Sequence, residues 1–273
     1  MNLLRWLVFS NCLISLSAGF LAFGTSYILA SQFQPIFFGL FIFASTLFTY
    51  NFQRLIKLAF RDNKVLSSRN FWIGTHQLQL KILSLIGLIV AIYIYFYHLF
   101  QYRSFFLLLP LVLISILYAV RFFESKNLRE LPYIKIHLIA LVWMCATVFL
   151  PSLNGKSSIL YVVLLGFALY LYIIAITIPF DIRDLRYDED NQKTIPQVFG
   201  VSSAKKIAIC LALTSFSLFL FLISTHWIST VLLCIAFGVQ ITLIIYSNVK
   251  RDELYFSGAI DGAITLLGLT LIV

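Results

Sequence analysis

An all-α, polytopic membrane protein is the fold class that the sequence predicts, on three observations. Of 273 residues, 61% are apolar and 11% charged, where a soluble chain carries roughly a quarter charged, and mean hydropathy is +0.95. The apolar residues fall in long runs separated by short polar stretches, as expected of helices that satisfy their own backbone hydrogen bonds in lipid. A transmembrane β-barrel would alternate in short segments instead. Threading the runs through a bilayer, finally, places almost all basic residues on one side. These observations exclude a water-soluble globule and predict nine transmembrane helices in a single domain over residues 1–273.

Each helix has its own signals. Arg5 lies near the start of the first run, 3–22, and the lack of a small-residue cleavage site after it predicts a span, not a cleaved signal. Pro35 opens the second run, 36–50, where a helix tolerates proline. Tyr102-Arg103 divides the third, 82–100, from the fourth, 105–118. The fifth, 134–150, ends at Pro151, and the turn Asn154-Gly155 precedes the sixth, 159–179. Runs 207–224, 228–247 and 254–273 complete the set. In the last, Gly258 and Gly262 give a GxxxG spacing beside Asp261, which predicts a close helix contact with an interhelical hydrogen bond; substrate contact by Asp261 is the other reading. Cys12, Cys145, Cys210 and Cys234 all fall in apolar runs without CxxC spacing, and they predict neither disulfide nor metal site.

Charge orients the bundle. Of the 20 basic residues, 18 fall on one side, Arg103 and Lys156 being the exceptions, and so do all 11 acids but Asp261. Cytoplasmic loops hold the excess of Lys and Arg, so the N-terminus is expected in the cytoplasm and the C-terminus outside. The long connections after the second, fourth and sixth helices share the cytoplasmic face, where functional loops are expected. A net charge of +9 spread beside anionic headgroups implies a lipid bilayer as partner, with no nucleic acid.

The strongest local signal is the stretch Asp181-Ile182-Arg183-Asp184-Leu185-Arg186-Tyr187-Asp188-Glu189-Asp190. If the sixth helix continues through it, Asp181, Asp184 and Asp188 share one face at i, i+3 and i+7. Carboxylates so placed repel unless a cation neutralises them, and hard oxygen ligands at a membrane surface suit Mg²⁺. A solvated charged loop balanced by Arg183 and Arg186 accounts for the same residues. After the second helix, Arg54, Lys57 and Arg61 follow Asn51 with the same spacing and opposite charge. They make either a positive-inside anchor or a direct clamp for an anion.

The run from Asp181 to Asp190, followed by Lys193-Thr194-Ile195-Pro196 and Gly200, resembles the second aspartate-rich motif of the UbiA family of intramembrane prenyltransferases. Leu131-Pro132-Tyr133-Ile134-Lys135, leading to Trp143 and Pro151, is similar to that family as well. The resemblance implies a UbiA-like bundle that binds a polyprenyl diphosphate through Mg²⁺, ionises it to an allylic cation and passes it to an aromatic acceptor of the quinone-precursor type. It assigns catalysis and metal binding to Asp181, Asp184 and Asp188, and diphosphate binding to Asn51, Arg54, Lys57, Lys135 and Lys193. The 27 Phe, 14 Tyr and 4 Trp include candidates to stabilise a carbocation by their quadrupoles.

The first aspartate-rich motif of that family is missing, since Phe52, Leu55 and Ala59 stand where its acids belong. One metal cluster is therefore expected in place of two, with the basic face beside Asn51 replacing the other. A catalytically lapsed relative is the alternative, and a small-molecule or lipid transporter another, although the acids cluster at one edge and not at the midplane. Asn11, His137, Tyr118 and Arg121 are further candidates to line a cavity. No phosphate-binding glycine loop, H-E-x-x-H or nucleophile elbow is present.

Overall fold

The computed structural model describes residues 3–59, 68–120, 128–186, 192–223 and 227–272. Every regular element among them is helical. Helix α1, Leu3–Phe9, and α2, Cys12–Ile28, form one broken rod bent by 67°. The break falls at Asn11, whose φ of 62° is left-handed, a conformation that asparagine accepts more readily than most residues. Helix α3, Pro35–Ala59, begins on its proline and runs well past the apolar stretch. A short helix, α4, Ser68–Thr75, follows and sets Trp72 edge-to-face with Phe9 of α1 at 5.8 Å between ring centroids.

Helix α5, Gln77–Ile94, continues through a π-helical turn to Leu99. Helix α6, Tyr102–Leu117, is capped by Gln101, which exchanges side-chain and backbone hydrogen bonds with Ser104. Helix α7, Ile134–Met144, passes through a π-helical turn into the single turn α8, Leu150–Ser152. Helix α9, Ile159–Asp184, starts from the Ser158 cap and carries its last turn through both aspartates. Helix α10, Ile195–Ile223, bends at Gly200, where φ is +77° and ψ 161°, values that only glycine adopts without strain. Helix α11, Trp227–Tyr246, leads to a π-helical turn at Tyr255–Ile260 and to α12, Asp261–Thr270.

Six of these helices are long and apolar enough to cross a membrane, or seven if the bent α1–α2 pair is one span. Length and composition thus give six to seven crossings where nine are expected. Helix α6 falls short at 16 residues, and the last rod is interrupted by the π-helical turn before α12. The expected connection between the second and third spans is shortened from both sides, because α3 extends to Ala59 and α4 is itself helical.

The helices pack as a ring of neighbours. One side runs α12, α2, α3 and α5; the other runs α7, α9, α10, α11 and back to α12. Two glycine contacts close it: a Cβ on Gly19 would lie 3.0 Å from the Gly39 carbonyl oxygen of α3, and one on Gly24 would lie 2.6 Å from that of Gly268 in α12. Backbones can approach this closely only where no side chain intervenes. The expected GxxxG contact is not among them. A Cβ on Gly258 would meet only Val8 Cγ2 at 3.5 Å, and one on Gly262 only Leu13 Cδ2 at 4.0 Å. Those two glycines face open packing because Asp261 beside them turns toward a cavity.

Gly268→Ala forces its new methyl within 2.6 Å of the Leu21 backbone nitrogen and is expected to destabilise the fold by about 1–3 kcal/mol. Gly258→Ala should leave the thermal midpoint nearly unchanged. Thermal unfolding of the two variants in the same detergent checks the contrast.

Candidate active site

A cavity of about 370 Å³ opens where the C-terminal halves of α3 and α9 meet α4, α12 and the start of α7. Its wall has two chemistries. Ile139, Val142, Trp143, Ile173, Ile176 and Ile264 make the deep part apolar, while Arg54, Lys57, Arg69, Arg129, Lys135 and Arg183 supply six cations against Glu130, Asp184 and Asp261. Such a surplus of positive charge against an apolar chamber suits an amphiphile with an anionic head.

One side of the charged region is a buried ion cluster. Asp181 is 2% exposed and Lys135 6%, and Lys135 Nζ lies 2.7 Å from Asp181 Oδ1 and 3.8 Å from Asp184 Oδ2. Asp184 is held further by Arg183 Nε at 2.8 Å and by Arg129 Nη2 at 3.3 Å. Arg183 in turn reaches Glu253 at 3.3 Å and lies over the rings of Phe180 and Phe256, 5.1 and 5.6 Å from their centroids. The arrangement has a local cause. Two aspartates one turn apart on α9 face the same way, and a carboxylate taken out of water must be paired. The first turn of α7 provides Lys135, and the short 3₁₀ turn Leu128–Glu130 provides Arg129. Tyr118, lining the same wall at the end of α6, has its hydroxyl pKa pushed up by burial.

The other side is a polar network around Arg69, which is 3% exposed. Its Nη1 donates to Ser257 Oγ at 2.6 Å, and its Nη2 donates to Asn11 Oδ1 at 2.7 Å and to the Val8 carbonyl at 3.3 Å. Asn11 Nδ2 donates to Asn51 Oδ1 at 2.7 Å. At the break between α1 and α2 the Val8 carbonyl accepts the Asn11 N–H at 3.3 Å and the Arg69 guanidinium as well, so the bend in the first rod and the network are one feature. Burial and the like charge of Arg54 both hold the Arg69 guanidinium below its usual pKa. Arginine nonetheless stays protonated in proteins, so Arg69 presents a cation to the cavity.

The expected site residues divide accordingly. Arg54, Lys57, Lys135 and Asp184 line the cavity, and Asp181 lies behind its wall as the partner of Lys135. Asn51 is fully buried and acts through Asn11, not on the cavity directly. Lys193 is exposed and sits 5.8 Å over the Tyr133 ring, away from the cavity. Asp188 and Arg61 lie outside the described residues, as does Arg121. His137 pairs with the Tyr170 hydroxyl at 2.6 Å on an exposed face and does not line the cavity.

Arg69 and Arg129 are the residues that sequence reasoning passed over, since both lie in charged stretches of ordinary positive-inside character without a spacing that sets them apart. Arg183, read from sequence as balancing the neighbouring acids, does pair with Asp184. Asp261, expected to tie helices together, instead lines the cavity.

Asp181 and Asp184 are the described carboxylates of the motif, and both are ion-paired. Among the described residues no group of three His, Cys, Asp or Glu side chains comes close enough to hold a metal. Asp181 and Asp184 remain, and Mg²⁺ is commonly bound by one or two carboxylates with the rest of its shell from phosphate and water. Lys135 and Arg129 occupy the carboxylate oxygens that such an ion would use.

A helical membrane bundle with a cation-rich, apolar-walled cavity at one end is the class these features define. Its fold is that of the UbiA homologs. Over 99% of this chain and 98% of that one, the structure superposes at a TM-score of 0.58 and 16% identity on a UbiA homolog from Archaeoglobus fulgidus bound to GPP and Mg²⁺. A structure of a UbiA homolog from the same organism bound to DMAPP and Mg²⁺ matches at 0.56 and 15%, covering 99% and 97% of the two chains. A digeranylgeranylglyceryl phosphate synthase matches at 0.57 and 17%, covering 98% and 96%. No family model and no curated protein matches the chain in sequence.

Lys135→Ala removes the cation 2.7 Å from the buried Asp181 carboxylate, and losing one partner of such a pair costs about 3–5 kcal/mol. A fall of that size in stability is expected for Lys135→Ala, and a smaller one for Arg129→Ala, whose side chain is 21% exposed. Chemical denaturation monitored by tryptophan fluorescence checks the order.

Proposed function

We propose that this chain is an intramembrane prenyltransferase of the UbiA family, moving a polyprenyl group from its diphosphate to an aromatic acceptor of the quinone-precursor type. The observation that carries the reading is the cavity itself, which joins six cations to an apolar chamber containing Trp143 and Phe180. The isoprenoid tail fills the chamber and the diphosphate lies among the cations, at the membrane face predicted to be cytoplasmic.

Asp181 and Asp184 would hold one Mg²⁺, with Asp188 as the third member of the motif. An ion held there would supply positive charge against that which builds on the leaving diphosphate. Lys135, in the cavity wall, is a further cation for a phosphate oxygen. On the α3 side Arg54 and Lys57 contact the diphosphate directly, in place of a second acid-held metal, and Asn51 keeps Asn11 and Arg69 in position. The indole of Trp143 and the ring of Phe180 present quadrupoles to the allylic carbon as its bond to oxygen breaks. The apolar wall keeps water from capturing that carbon. The acid-free face of α3 favours a second reading, a lapsed enzyme that binds prenyl diphosphates without turnover.

Purified protein in nanodiscs, given radiolabelled geranylgeranyl diphosphate and a mixture of phenolic acceptors with and without Mg²⁺, tests the proposal beside an active UbiA-type enzyme. Mg²⁺-dependent diphosphate release with a prenylated product is expected. Arg54→Ala should weaken diphosphate binding by about tenfold or more, as loss of a charged hydrogen bond does. Binding without release would establish the lapsed enzyme. Unchanged affinity in Arg54→Ala would remove the direct clamp.

A further inference from the structure

Asp261 is a charged residue of the cavity that the preceding chemistry leaves unused. It begins α12, directly after the π-helical turn that carries Ser257, and it lines the cavity beside Arg69, Asn11 and Ser257. A carboxylate at this depth is costly and needs a reason. Helix association does not provide one, since the glycines on either side of it make no close backbone contact. Ion pairing does not either. Asp184 has three cationic partners within 4 Å, whereas among the described residues no side chain makes a salt bridge or hydrogen bond to Asp261. The titratable and charged groups that share this part of the cavity with it are Arg69 from α4, Arg183 from α9, and Arg54 and Tyr50 from α3.

The neighbouring polar groups are already committed. Ser257 Oγ and Asn11 Oδ1 both accept from Arg69, and Asn11 Nδ2 is spent on Asn51. What this part of the wall offers a ligand is therefore a carboxylate acceptor backed by distant positive charge. That is a recognition element for a hydrogen-bond donor, and it would repel an anionic group.

We infer that Asp261 binds the hydroxyl of a phenolic acceptor and takes its proton during prenyl transfer. This rests on the prenyltransferase reading above. In the step, the bond from the prenyl carbon to the diphosphate oxygen breaks and its electron pair leaves with the diphosphate. A ring carbon of the phenol supplies the pair for the new carbon–carbon bond, and the phenolic proton passes to the Asp261 carboxylate. The ring ketone so formed regains aromaticity when the proton on the prenylated carbon is lost and the oxygen is reprotonated, so one proton is released overall. The acceptor class follows: a phenol whose hydroxyl, not a carboxylate, points to α12.

The test uses the full chain in nanodiscs with geranyl diphosphate, Mg²⁺ and two matched probes, 1-naphthol and its methyl ether. Wild type should bind the naphthol at least about tenfold more tightly than the ether, the worth of a hydrogen bond to a charged group. Asp261→Leu should bind the two alike and keep wild-type affinity for geranyl diphosphate. Asp261→Asn, which accepts a hydrogen bond but no proton, should prenylate naphthol about 100-fold more slowly, a loss typical of a removed general base, and should lose the acidic limb of the wild-type pH profile, the fall in rate as the carboxylate is protonated. Equal binding of naphthol and ether by wild type overturns the inference even if neither variant folds. A naphthol preference that survives in Asp261→Leu, or full turnover by Asp261→Asn, overturns it as well. If geranyl diphosphate fails to bind while the naphthol preference holds, hydroxyl recognition by Asp261 stands and the prenyltransferase reading falls.

Discussion

The pairing of Lys135 with Asp181, 2.7 Å apart and nearly out of contact with solvent, is the interaction around which the working end of the molecule is arranged. An aspartate inside an apolar bundle is tolerable only with a partner, and that partner has to come from another element. The requirement brings the start of α7 against the last turns of α9. It also draws in the 3₁₀ turn that carries Arg129, and through Arg183 it reaches Glu253 ahead of α12. Each of these groups then borders the cavity or the wall behind it. The cluster that neutralises the aspartates thus also defines the mouth that a diphosphate would enter.

A second constraint acts on the opposite wall. The first rod breaks at Asn11, and there the Val8 carbonyl accepts both the Asn11 N–H and the Arg69 guanidinium. The same guanidinium also binds Asn11 and Ser257. One side chain from α4 therefore links α1, α2 and the turn before α12, while Gly24 and Gly268 let α2 and α12 touch backbone to backbone. The N-terminal and C-terminal helices are joined at the site itself, so Asp261 is held there by the closure of the ring.

Much of this was legible before any coordinates. The apolar runs predicted the helices, and the Asp181–Asp190 stretch with its trailing Gly200 pointed to the fold. Gly200 itself shows why such a residue can be read: its φ of +77° excludes other side chains. Asn11 was flagged as an intramembrane polar group, and it does reach the cavity. Other readings did not survive. Lys193 belongs to the motif but rests on Tyr133, because a loop residue's direction depends on the turn that carries it. GxxxG spacing beside Asp261 suggested a tight contact that falls instead at Gly19, Gly24, Gly39 and Gly268. A pair of small residues permits close approach but does not say which helix will come near.

By itself the sequence determined the class of molecule, the order of its helices and the end that carries its charge. Those properties follow from local periodicity and from the cost of placing charge in lipid, both of which are written along the chain. Only the tertiary structure decided which charges meet. Lys135 with Asp181, Arg69 with Asn11 and Arg129 with Asp184 lie 46, 58 and 55 residues apart. Spacing along a helix governs neighbours three or four residues apart, whereas pairing across that distance is set by how buried and half-buried side chains from separate elements settle their charge.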